Sequence, residues 1–152
     1  MDKLTAEQRS LNMSKIHSKD TKIELTLRSA LFRAGFRFRK NDSRYLGTPD
    51  IVLPRYNAVI FLNGCFWHGH KNCRLFRLPK SNTEYWEKKI SRNIERDKKI
   101  SETYIQHLCR VGVVWECSLG GSGKARKQKT ASLVEEISRW LEEEPEELYK
   151  EF

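Results

Sequence analysis

Ala58-Val59-Ile60-Phe61-Leu62, preceded by Tyr56-Asn57, is an unbroken apolar run of strand length. A strand that shows no polar face has both faces covered, so this segment predicts a central strand of a sheet with helices on either side. Upstream, Asp50-Ile51-Val52-Leu53 ends at Pro54 and reads as a neighbouring strand. Before it, Phe36-Arg37-Phe38-Arg39 alternates at period two, and Lys40 to Thr48 is turn-like. The segment from about Thr21 to Ala34 predicts a helix, because Ile23, Leu27, Ala30, Leu31 and Ala34 recur at helical spacing behind a Thr21/Glu24 capping box, and Gly35 follows. Downstream, Glu84 to Leu108 holds no Gly or Pro and spaces Trp86, Ile90, Ile94, Ile105 and Leu108 as an amphipathic helix. Arg110 to Trp115 reads as a further buried strand, Ser118 to Lys129 as a Gly/Ser/Lys-rich loop, and about Ala131 to Glu143 as a last helix. The order helix, three strands, helix, strand, helix specifies a mixed α/β sheet flanked by helices.

The chain has 152 residues, which suits one domain. With 38% hydrophobic residues it has material for a core, which argues against disorder. No apolar run is long enough to span a bilayer and the start lacks a signal-type stretch, so neither membrane insertion nor secretion is expected. The net charge of +9 is unevenly placed: residues 142–152 hold six Glu and one Lys, a local −5, leaving +14 on residues 1–141. The acidic end has few apolar residues and is expected to be a disordered tail. A basic body of this size suits nucleic acid, whose counterions it would release, although composition alone equally fits a soluble basic surface.

All four Cys and three of the four His lie between Cys65 and Cys117. Cys65, His70 and Cys73 have a Cys-x4-His-x2-Cys spacing, and Cys117, at the end of the last buried strand, could supply a fourth ligand. Four N/S donors would make a closed structural zinc site; reduced, partly buried cysteines without metal are the alternative, and Cys109 belongs with them. His68 is surplus to a tetrahedral set, free either for proton transfer from water or for a purely structural bond. Asp50 at a strand start could cap a turn, or join Glu24 of the first helix in holding Mg²⁺ through hard oxygen ligands. Phe66, Trp67 and Trp86 lie among Arg74, Arg77, Lys80, Lys88 and Lys89. Such side chains are usually core, but flat rings flanked by cations also suit wedging into a base stack. Trp115 and Trp140 read as core by periodicity.

Taken in order, Asn12-Met13-Ser14-Lys15-Ile16, Asp20-Thr21-Lys22-Ile23-Glu24, Gly47-Thr48-Pro49-Asp50-Ile51-Val52, Phe61-Leu62-Asn63-Gly64-Cys65-Phe66-Trp67-His68, Trp86, Asn93-Ile94-Glu95-Arg96-Asp97 and Val114-Trp115-Glu116-Cys117 resemble the very short patch repair mismatch endonucleases. The resemblance runs from about residue 8 to 141. It implies a restriction-endonuclease-like αβββαβ core forming a single endonuclease domain over residues 1–141. The implied activity is a Mg²⁺-dependent nick in duplex DNA, 5′ to the thymine of a T·G mismatch of the kind left by deaminated 5-methylcytosine. In that pattern Asp50 binds Mg²⁺ with the backbone carbonyl of Leu62, Glu24 is an active-site carboxylate and His68 the general base. Cys65, His70, Cys73 and Cys117 match the structural zinc site, and Phe66, Trp67 and Trp86 the aromatic wedge that opens the duplex. Asn93 falls in a DNA-contacting motif, and residues 1–19, with Arg9, Lys15 and Lys19, form an arm that embraces DNA.

Three places depart from the familiar pattern, one of them the Cys65 to Cys73 stretch, in which two residues separate His70 from Cys73. Asn63 stands where a second active-site histidine is usual, and an amide can hydrogen-bond a phosphate oxygen or water but carries no proton at neutral pH. Leu108-Cys109 replaces a Gly-aromatic turn. The resemblance further implies a monomer in the cytoplasm of a bacterium or archaeon, associated with the nucleoid, with mismatch-repair proteins as helpers. Because nicking or homing relatives share the fold and motifs, a site-specific nickase stands as the alternative reading, and an inactive zinc-containing DNA-binding module as a third.

Overall fold

The computed structural model describes residues 5–8, 21–144 and 147–152. Lys15 and Lys19, and with them most of the expected DNA-embracing arm, lie outside the described residues.

The apolar run becomes β3 (Ala58–Asn63), the middle strand of a five-stranded sheet. The sheet runs in chain order: β1 (Arg39–Lys40), β2 (Ile51–Leu53), β3, β4 (Arg110–Trp115) and β5 (Tyr149–Glu151). The first two pairings are antiparallel and the last two parallel. α1 (Lys22–Arg33) precedes β1, α2 (Thr83–Gln106) joins β3 to β4 and α3 (Gly123–Glu142) joins β4 to β5. The chain is thus a mixed α/β fold, and among the described residues no helix is long and apolar enough to cross a membrane.

Alternate residues of β3 and β4 feed two cores. Ile60, Leu62 and Val114 pack with Leu27 and Leu31 of α1 and Leu133, Ile137 and Trp140 of α3. Val59, Val111, Val113 and Trp115 pack on the opposite face with Tyr104 of α2. Gly112 leaves room where Trp140 crosses β4, since a Cβ there would sit 3.1 Å from the indole and press it aside by a few tenths of an ångström. Thr21 caps α1, its hydroxyl accepting from the Glu24 backbone N–H, as the capping box predicts.

Three expectations need correction. Phe36–Arg39 is not a strand: Phe36 turns into the core, its N–H donating to Leu31 O, so the ladder begins only at Arg39. The loop assigned to Ser118–Lys129 is mostly helix, because Lys, Ala, Arg and Gln after Gly123 are good helix formers that extend α3 backwards by two turns. The acidic end is not a disordered tail. Tyr149–Glu151 pairs with Val111–Val113, Phe152 exchanges backbone hydrogen bonds with Val113 and Trp115, and its ring stands edge-on to Trp140. Three apolar residues, Leu148, Tyr149 and Phe152, thus cover an otherwise open β4 edge. Leu108 turns the chain after α2 with φ +58, a left-handed conformation that costs a residue with a Cβ about 1–2 kcal/mol.

A candidate nuclease cleft beside a four-ligand cluster

β2 and β3 pair from Leu53↔Ala58 to Ile51↔Ile60 and then part. Beyond that point Asp50 takes over from the ladder: its Oδ2 accepts the Leu62 N–H at 2.7 Å. The divergence opens a cleft of about 450 Å³ lined by Glu24, Asp50, Leu62, Asn63, His68 and Asp97 among others. The structure therefore brings Asp50, Glu24, Asn63, Leu62 and His68 to one place, from α1, β2, β3 and the loop after β3.

The cleft is electrostatically uneasy. Burial pushes the Asp50 carboxyl up to about 6; the Leu62 N–H pulls it down, nearby Glu24 raises it further, and Arg28 and His68 lower it. A carboxylate in that position gains from a cation beside it. Asp50, Glu24 and the Leu62 carbonyl are hard oxygen donors of the kind Mg²⁺ takes.

Two residues that sequence reasoning gave no role organise this cleft. Arg28, 5% exposed, donates to the Asp50 carbonyl at 3.0 Å from Nη2 and 3.3 Å from Nε, and to Asn41 Oδ1 at 3.0 Å. It also lies 3.3 Å from Glu24 Oε2, so one buried guanidinium ties α1 to the residue just before β2 and balances Glu24. The Glu24/Arg28 i,i+4 spacing was the available signal. Asp97 of α2 meets His68 Nδ1 at 2.5 Å. With Nδ1–H donated to that carboxylate, His68 keeps Nε2 as its proton acceptor.

The loop after β3 also carries the cysteines. The donor atoms of Cys65, His70, Cys73 and Cys117 all lie within 4.8 Å of one another, a set that could hold a metal ion. His70 Nδ1 is 3.5 Å from Cys65 Sγ and 3.6 Å from Cys117 Sγ, while its ring stacks on Trp115 at 4.0 Å and 3°. Burial pushes the Cys65 thiol up to about 12 and also raises Cys117, whereas the Leu75 backbone N–H holds Cys73 down. Cys109 lies apart, its thiol donating to Arg110 O.

Phe66 and Trp67 of the same loop meet Trp86 of α2. Phe66, Trp67 and Trp86 pack mutually edge-on or tilted, with centroids 5.2–5.7 Å apart. All three are only half-buried. Asn93 does not point outward alone: its amide donates to the Trp67 carbonyl at 2.9 Å and fixes the loop to α2. Gly69, with φ +61, lets the loop lie on α2, since a Cβ would come within 2.7 Å of Ile94 Cδ1.

The family model described as DNA mismatch endonuclease Vsr matches residues 1–74. The type II nicking enzyme V.NmeAIP of Neisseria meningitidis serogroup A is 50% identical over 137 residues, covering 90% of this chain and 96% of the relative. The type II nicking enzyme V.XorIIP of Xanthomonas oryzae pv. oryzae is 43% identical over 122 residues, covering 80% and 89%. The DNA mismatch endonuclease Vsr of Escherichia coli K12 is 41% identical over 133 residues, covering 88% and 83%. This chain belongs to the Vsr DNA mismatch endonuclease family.

Proposed function

We propose that this DNA endonuclease is a Mg²⁺-dependent mismatch nickase that cuts one strand of duplex DNA 5′ to the thymine of a T·G pair, on a restriction-endonuclease-like core stabilised by zinc. The observation that carries this reading is the convergence of Asp50, Glu24, Asn63 and an Asp97-buttressed His68 in the cleft where β2 and β3 part.

Asp50 and the Leu62 carbonyl would hold Mg²⁺, with Glu24 beside them. In an extended strand a residue's N–H and C=O face the same neighbour, so the Leu62 carbonyl shares the Asp50 side on which its N–H is bonded. When bound, the ion supplies neutralisation of the charge that develops on the scissile phosphate and leaving oxygen. His68 Nε2 takes the proton of the attacking water, and Asp97 stabilises the imidazolium that results. Asn63, 7% exposed, offers the phosphate or the water a neutral hydrogen bond.

Zinc suits the second site on chemistry and distance. With Zn–S of about 2.3 Å and Zn–N of about 2.0–2.1 Å, a tetrahedral ion separates S from N by about 3.6 Å, which agrees with the 3.5 and 3.6 Å around His70. Phe66, Trp67 and Trp86 form the wedge, and Asn93 holds Trp67 in it.

The test is a nicking assay on end-labelled duplexes differing only in T·G against T·A or C·G, with and without Mg²⁺. A Mg²⁺-dependent nick 5′ to the mismatched thymine, absent in Asp50→Ala and His68→Ala, is the expected result. Nicking indifferent to the mismatch would instead favour a site-specific nickase, the reading to which the relatives named as type II nicking enzymes incline.

A further inference from the structure

The cations of α2 divide into two classes. Lys88 Nζ lies 3.1 Å from Glu84 and Lys98 Nζ 4.0 Å from Glu102, so each has an i,i+4 partner. Arg92, Lys99 and Lys89 have no ion pair among the described residues, Lys89 lying over the Trp67 ring at 6.0 Å, and Arg96 pairs with its chain neighbour Asp97 at 3.9 Å. At 100° per residue, positions 92, 96 and 99 fall within about a 60° arc of the helix, so these three share one face. All three are exposed.

That face lines an open groove of about 440 Å³ walled on its other side by Leu46. The wall is built to stay in place: Tyr104 Oη donates to the Leu46 carbonyl at 2.6 Å, and Gly47, φ +75, packs on Ile100, where a Cβ would come within 3.0 Å of Cδ1. Leu46 itself is half exposed. Arg96 and Ile100 line both this groove and the catalytic cleft, so the two are continuous. Glu95 is the one acidic residue lining the groove, leaving its charge positive. From Arg92 to Lys99 the helix rises about 10 Å, the length of about three base-pair steps.

We infer that Arg92, Arg96 and Lys99, facing the rigid Leu46 turn, form a phosphate-binding track that holds the duplex backbone beside the catalytic cleft, apart from the aromatic wedge. The inference rests on the nuclease reading and adds to it a site of stated chemistry. Two cations left without carboxylate partners on a face that continues into the cleft are matched by the phosphates of a strand lying across it. Because phosphates are the same in every sequence, the track contributes affinity without base or mismatch preference.

The test is duplex binding by fluorescence anisotropy over a salt series, without added Mg²⁺, using paired and T·G duplexes. Wild type is compared with Arg92→Gln, Lys99→Gln, the double variant, and Lys98→Gln, whose residue lies off the track. All are exposed positions, and unchanged melting temperatures confirm folding. Each track substitution is expected to weaken paired and T·G binding alike and to reduce the slope of log K against log salt by about 0.9, the double by about twice that. Lys98→Gln should leave the slope within error of wild type. If the double variant keeps the wild-type slope, or Lys98→Gln loses as much, the track is wrong while the nickase reading stands. If wild type shows no salt-dependent duplex binding, the DNA reading itself falls and the track with it.

Discussion

His68 and His70 are separated by one glycine, yet they serve sites of opposite character. His68 faces an open cleft in which a carboxylate is held where it ionises reluctantly. His70 closes a cluster of soft donors, stacked on Trp115 and enclosed by three sulfurs. The first arrangement raises the free energy of the empty fold so that a cation and a phosphate find a prepared place. The second, when it holds a metal, lowers the free energy of the fold and fixes the loop that carries His68, Phe66 and Trp67. One stretch of chain therefore spends stability on one side of Gly69 and gains it on the other.

The largest effect that would break this contrast lies in the cluster. Metal binding at a four-ligand structural site is worth on the order of 10 kcal/mol, comparable to the whole stability of a typical domain. Cys73→Ser or Cys117→Ser should therefore lower the melting temperature by at least about 10 °C, release a stoichiometric metal measurable by elemental analysis, and abolish nicking. A variant that melts with wild type would show the cluster to be four reduced side chains and no more.

Asp50→Asn should act in the opposite direction on stability. The folded carboxyl titrates near 6 against an ordinary 3.8, so between those values the fold keeps a proton that the unfolded chain releases. Stability from this group is present below pH 3.8 and is lost as pH rises through 6, by up to about 3 kcal/mol as an order of magnitude. Urea denaturation without Mg²⁺ should find Asp50→Asn more stable than wild type at pH 8, with the gap closing towards pH 4, while nicking falls by about 10³-fold. Added Mg²⁺ should stabilise wild type at pH 8 and leave the variant unmoved. Equal pH dependence in the two proteins would mean that Asp50 is not the strained group of the cleft.

Much of this contrast was legible in the residues. The Ala58–Leu62 run placed the central strand, and Cys65/His70/Cys73 spacing, with Cys117 at a strand end, placed the cluster, because a loop that short leaves its donors few places to go. Arg28 and Asp97 were not legible as participants. Their roles depend on which face of α1 and α2 meets the cleft, and a buried cation or an acid three turns along a helix reads as surface until its partner is placed. The acidic end was misread for a related reason: charge counts favoured solvent, whereas the open edge of β4, a tertiary feature, decided the pairing of Tyr149–Glu151.

A smaller effect sharpens the catalytic half of the contrast. Asp97 fixes the tautomer and orientation of His68 and touches no ligand of the cluster, so Asp97→Asn should lower the nicking rate by about 10–100-fold with the melting temperature and metal content unchanged. An amide in its place can bond Nδ1 from its NH₂ group, which favours the tautomer with the proton on Nε2 and so removes the acceptor that the attacking water needs. Loss of metal together with activity would place Asp97 in the scaffold of the loop instead.

The smallest effect concerns the glycine between the two histidines. Gly69→Ala asks a side chain to adopt φ +61 and drives its Cβ to within 2.7 Å of Ile94 Cδ1 and 2.8 Å of Ile90 Cγ2. Ile94 Cδ1 is the end of a flexible side chain, but Ile90 Cγ2 is the branch methyl of a buried residue, so the loop must shift, at a cost of about 1–3 kcal/mol for overpacking and left-handed backbone together. The direction in which it yields separates the two sites. A metal held by the cluster would fix His70 together with its three cysteine neighbours, whereas His68 is held by its bond to Asp97, so the shift should be absorbed on the catalytic side. The variant should therefore retain its metal and bind duplex as wild type does, melt a few degrees lower, and nick about tenfold more slowly. Retained activity with loss of metal would reverse the assignment and show the cleft to be the stiffer of the two.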